Sequence, residues 1–153
     1  MESDWYKGRE GKAQHLVYLD HKAKELEKLL NNEKTMIIRG AAGKKSPLGG
    51  RAKVHDDIYF LKTCGNMLVT HKGIITKVIE QEKMTQEESS ALIKKYESEL
   101  SLTEKQYKRW VSKKCLGLFE ISEIEAIEPF KYNRLKSMDD WIITDDINSL
   151  KAE

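Results

Sequence analysis

KTMIIRGAAGKKSPLGGRAK, residues 34–53, holds six cationic side chains (Lys34, Arg39, Lys44, Lys45, Arg51, Lys53), four glycines and no acid. Residues of these types contact phosphates: the N–H groups of a glycine-rich turn and the charged tips of Lys and Arg both point at anionic oxygens. Neither GxxxxGK[ST] nor GxGxxG occurs, so this is not a Walker loop or a dinucleotide fingerprint. Composition alone weighs a phosphate-contacting surface and a solvated lysine-rich connection about evenly. Arg39 closes the apolar run TMII, where its guanidinium could make bidentate contact with a phosphate or base edge, against a structural salt bridge. Lys34 opens the same run, as a phosphate-binding or general-base lysine against a plain turn residue. Gly40, Lys44, Lys45, Ser46 and Arg51 complete the candidate surface.

A secondary basic surface is offered by YKRWVSKK, with Lys108, Arg109, Lys113 and Lys114 around Trp110. An exposed tryptophan among cations can stack on a base. At helical spacing with Tyr107 and Val111, however, Trp110 reads first as core. Glu97, Glu99 and Glu104 are carboxylates that could serve catalysis, and nothing in the sequence chooses among them. Trp141, after Asp139-Asp140, reads as a docking anchor. The four histidines show no metal-ligand spacing, and Cys64 and Cys115 have no CxxC partner, so no metal, cofactor or disulfide framework is expected.

The elements that must position these residues fit one domain. In 153 residues, 39% are hydrophobic and 34% charged, as suits a soluble domain, and no apolar run is long enough to span a membrane. A cytoplasmic location is the expectation. Residues 1–54 carry twelve Lys/Arg against seven Asp/Glu, whereas from Glu120 onward nine acids face four bases, a tail that would repel a polyanion. Residues 1–13 read as a flexible arm and 14–153 as the domain.

HLVYLD predicts a strand, and Ala23, Leu26, Leu29 and Leu30 predict a helix from about His21 to Leu30 with Asp20 as its cap. TMIIR predicts a buried strand followed by a long loop. IYFL and MLVTHKGIITKVIEQ predict two more strands, the second bent at Gly73 because both of its parities are apolar. Thr85-x-x-Glu88 and Thr103-x-x-Gln106 are capping boxes that open two helices. CLGLFEIS and IEAIEPF return to strand, ending at Pro129. This order lacks βαβα alternation and predicts an α+β fold, a mainly antiparallel small barrel with about three packed helices.

HLVYLDHKAKELEKLLNNEKTMIIRG, KKSPLGGRAKVHDDIYF and LGLFEISEIEAIEPF together resemble the ASCH family of the PUA-like superfamily, over roughly residues 15–130. MDDW also resembles a small bacterial subgroup of it. The resemblance implies a small β-barrel with a cleft beside the helix-to-KT turn, in a setting of RNA binding, RNA or nucleoside modification and translation-linked regulation. Some members hydrolyse N-acylated cytidines with a Lys-x-x-Thr pair. Here the lysine position is Lys34, but the threonine position is Ile37, and Thr35 would point to the opposite face of a strand. The turn before IYF carries His55 where the family has glycine. The expected function is RNA or nucleotide binding through Lys34, Arg39 and the loop, with a nucleoside or RNA hydrolase and a protein-interaction module as alternatives.

Overall fold

A computed structural model describes residues 13–41, 51–63, 65–133 and 141–152. The chain forms β1 (Gln14–Leu19), α1 (Glu25–Leu30), β2 (Met36–Ala41), β3 (Asp57–Lys62), β4 (Leu68–Gln81), α2 (Gln86–Lys95), α3 (Glu97–Leu100), α4 (Glu104–Trp110), β5 (Cys115–Lys131) and β6 (Trp141–Thr144), then a 3-10 turn over Ile147–Leu150. The strands make one sheet in the order β2-β5-β4-β3-β1-β6. Every neighbouring pair is antiparallel except β1 with β3. The expected α+β small barrel is thus a curled half-barrel of mixed sheet with four helices, the fourth being the four-residue α3.

The curl follows from contacts between strands that the sheet order separates. Arg39 on β2 donates through Nη2 to the Tyr18 carbonyl of β1 at 2.7 Å, and the Trp141 ring of β6 lies 4.8 Å from Phe119 of β5. The concave face buries Val17, Ile37, Ile58, Phe60 and Trp141 against Leu26 and Leu29 of α1. Behind β2 and β5 the convex face is covered by α2–α4 through Leu92, Ile93, Leu100 and Trp110, which makes Trp110 core. A third cluster joins Tyr18, Tyr59 and Tyr132 to the 3-10 turn. Both parities are buried over Cys115–Phe119 of β5, whereas on β4 the buried Val69, Gly73 and Ile75 share one parity and Ile74 and Val78 on the other are half-buried.

β4 and β5 bend through three register shifts, and Gly73 lies in the middle one, between Lys72 and Ile74. A Cβ on Gly73 would stand 2.8 Å from Ile121 Cγ2, so the bend needs glycine for the close approach. β5 runs through Pro129, where an end was expected. β2 pairs β5 only as far as Glu120, and the register is shifted between Ala126 and Phe130, so proline's missing N–H costs no ladder bond there. α1 also starts later than expected. Asp20 Oδ1 accepts from Ala23 N at 3.1 Å and caps a turn, Lys24 takes a left-handed φ of 56°, and the helix begins at Glu25.

Both capping boxes form: Thr85 and Thr103 accept from Glu88 N and Gln106 N, and each N3 side chain returns to the cap N–H. Thr103→Ala is expected to lower unfolding free energy by about 1 kcal/mol in urea titration, and Thr103→Ser to leave it near wild type.

Candidate functional site

β2 carries a candidate residue at each end. At its entry Lys34 is enclosed, with its ammonium 3.4 Å from Glu25 Oε2 and donating to the Leu100 carbonyl. Glu25 is itself buried, and its other oxygen accepts from Asp20 N at 2.8 Å. Lys28 donates to the next carbonyl, Ser101 O, at 2.9 Å, so two lysines satisfy the C-terminal end of α3. Burial holds the Lys34 pKa below its usual 10.5, against the opposing pull of Glu25. What this geometry assigns to Lys34 is a tie between α1, β2 and α3 rather than a solvent-facing turn.

Arg39 points into the concave side. Its Nη1 donates to the Ile38 carbonyl at 2.8 Å, its Nη2 to Tyr18 O, and the guanidinium lies 5.7 Å from the Trp141 ring centroid. At 9% exposed it is a buried residue, and both Nη atoms are spent on backbone carbonyls rather than presented to solvent. Gly40, the next residue, faces α4: a Cβ there would meet Trp110 Cε3 and Lys113 Cγ at 2.9 Å. Its role in the described geometry is to let α4 close on β2.

Trp141 continues the line inward. Its Nε1–H donates to His15 Nδ1 at 3.0 Å, which leaves His15 Nε2 to carry the proton and donate to Asp56 Oδ2 at 2.8 Å. Asp56 Oδ2 also accepts from Lys53 N at 3.0 Å, and His55 N donates to Ile75 O with His55 in a left-handed φ of 78°. Burial, partly offset by Asp56, lowers the His15 pKa below 6.5. The chain leaving the basic loop is thus fixed at the end of the half-barrel where Arg39 sits. Ala52 is 3% exposed in the concave core, with Arg51 and Lys53 exposed on either side of it.

Lys44, Lys45 and Ser46 lie outside the described residues, as do the expected N-terminal arm up to residue 12, Cys64 and Asp139-Asp140. On α4, Lys108 pairs with Glu104 at 3.2 Å and Arg109 covers the Trp110 ring at 4.3 Å, so Trp110 itself is not a free platform for a base on the secondary basic surface. Lys113 is half-buried and Lys114 exposed. Glu97 and Glu104 line a cleft of about 490 Å³ between α2 and α4, and Glu99 is half-buried with its carbonyl accepting from Thr35 N at 2.8 Å. The sequence reading missed the His15–Trp141–Asp56 line. Its only local signal was the histidine heading an otherwise apolar strand.

No protein-family model matches the chain, and no curated protein matches it significantly. Solved structures do. The ASCH protein of Zymomonas mobilis aligns with a TM-score of 0.57 at 17% identity, over 80% of this chain and 76% of that one. A tyrosine-to-phenylalanine variant of it aligns at 0.58 and 17%, over 80% and 78%, and a serine-to-alanine variant at 0.54 and 15%, over 77% and 73%. The chain has an ASCH-like fold. Within this ASCH-like fold Ile37 is wholly buried in the concave core, and no hydroxyl stands at that position beside Lys34. Among the described residues no cluster of His, Cys, Asp and Glu could hold a metal, and no helix is long and apolar enough to cross a membrane.

Proposed function

We propose that this ASCH-like domain binds RNA or a nucleotide-like polyanion through the basic segment between β2 and β3. The observation that carries the reading is Ala52. Its burial in the concave core leaves Arg51 and Lys53 exposed on either side, at the end of the half-barrel where the buried Arg39 lies beside Trp141. The surface would extend to Lys44, Lys45 and Ser46, which complete the acid-free run. Lys34 would act indirectly, by holding the entry of β2.

Fluorescence anisotropy with a short single-stranded RNA tests this. If about three phosphates are contacted, affinity should fall roughly twenty-fold between about 50 and 200 mM salt. Reversing charge at Arg51 and Lys53 together, Arg51→Glu with Lys53→Glu, should flatten that dependence and weaken binding by roughly ten-fold or more. No binding at the lower salt, or binding indifferent to the reversal, removes the proposal.

A further inference from the structure

His15 sits where three parts of one end of the half-barrel meet. It is wholly buried, its Nδ1 accepts from the Trp141 indole of β6 at 3.0 Å, and its Nε2 donates to Asp56 at 2.8 Å. Asp56 in turn holds Lys53 N, and the Trp141 ring lies beside the Arg39 guanidinium. One imidazole therefore ties β1, β6 and the exit of the basic segment together. The RNA-binding reading uses the cations at this end and leaves the imidazole without a part.

A second proton on this ring would change that end in two ways. The indole nitrogen can only donate, so an N–H on Nδ1 would set two donors face to face at 3.0 Å. Trp141 would then have to turn from His15, and its contacts with Arg39 and Phe119 would shift with it. The bond to Asp56, by contrast, would become charge-assisted and tighten, so Lys53 would stay held. Acid thus loosens the indole and keeps the basic segment in place. The added positive charge lies next to that segment, where it attracts an anion.

The groups that face His15 set the sign of the coupling. Asp56 and Asp57, at the entry to β3, favour the extra proton, whereas burial and Arg51 of the basic segment oppose it. The residues paired with His15 across the sheet, Ile58 on β3 and Ile143 on β6, are apolar, and β2 contributes Arg39 behind the indole. Phosphates bound at Arg51 would cancel its repulsion of the imidazolium. Binding at the surface then eases protonation beneath it, and by reciprocity protonation strengthens binding. We propose that polyanion binding at Arg51 and Lys53 and protonation of His15 promote one another, so that mild acid tightens the grip of this surface. The inference rests on the RNA-binding reading and adds its regulation.

Anisotropy with the same single-stranded RNA, at fixed salt from pH 8 to 5, tests it together with NMR titration of the His15 imidazole. Affinity should rise about five-fold as His15 takes up its proton, and saturating RNA should move the His15 titration midpoint up by about 0.7 pH unit, the same factor seen from the proton's side. His15→Gln keeps an amide oxygen for Trp141 and an amide N–H for Asp56 without titrating, and should bind RNA with little dependence on pH. His55→Gln, in the exposed turn next to Asp56, should retain the rise. The coupling is overturned if wild-type affinity is flat across this range, if His15→Gln shows the same rise, or if RNA leaves the His15 midpoint where it was. Absence of RNA binding at every pH removes the polyanion surface as well, whereas binding with an unmoved midpoint removes the coupling alone.

Discussion

Lys34→Met is expected to cost the fold about 3–5 kcal/mol, because it strands a buried carboxylate. Methionine fills much of the lysine's volume, so little of the loss is cavity. What is lost is the ammonium that faces Glu25 Oε2, together with the donor to the Leu100 carbonyl, in a place where neither group reaches water. Against a typical stability of about 5–15 kcal/mol, that leaves a domain close to its threshold. Adding Glu25→Leu removes the stranded charge and should recover much of the loss, by roughly 1–3 kcal/mol of coupling. Urea denaturation of the two single variants and the double one reads this directly. A single-variant loss below about 1 kcal/mol would mean that the ammonium is solvated after all.

The second large effect is acid sensitivity centred on His15. The Trp141 indole can only donate, so His15 Nδ1 must stay unprotonated for that bond to exist. Burial accordingly holds the folded pKa below the 6.5 of the unfolded chain. Between those two values the unfolded state binds the extra proton, so stability rises with pH there. The full contribution is present above pH 6.5 and is lost as pH falls below it, until the folded state also takes up the proton. His15→Phe removes this titration but orphans the Trp141 N–H and one bond of Asp56, at a cost of about 2–5 kcal/mol at pH 8. Its stability should then vary less than wild type between pH 5 and 6.5, where His71 also contributes to the slope. Urea midpoints across that range check both parts, and an unchanged slope in His15→Phe would place the titration elsewhere.

What could be read from the sequence was what local patterns encode. Thr85 and Thr103 with their reciprocal partners predicted two helix starts, and the two-parity apolar run predicted a bent strand around Gly73. Trp110 was readable as core from its helical spacing. Lys34 was not readable as buried, since its partner Glu25 belongs to a helix whose start depends on the Asp20 turn. β6 escaped because four residues, WIIT, carry too little pattern to outweigh the polar stretch before them. The His15–Trp141–Asp56 line unites distant segments that only the sheet order brings together. Ile37 was readable as core from the apolar run TMII, and it is wholly buried in the concave cluster.

The pairing of β1 with β6 has a kinetic consequence. His15 and Trp141 are 126 residues apart, and β1 needs β3 on one side and β6 on the other. During synthesis the first strand of the sheet therefore waits, with one edge unsatisfied, until almost all of the described chain has emerged. Such long-range closure favours slow folding, in milliseconds to seconds rather than microseconds. It also makes the nascent β1 edge, HLVYL, the segment most in need of protection before the chain is released.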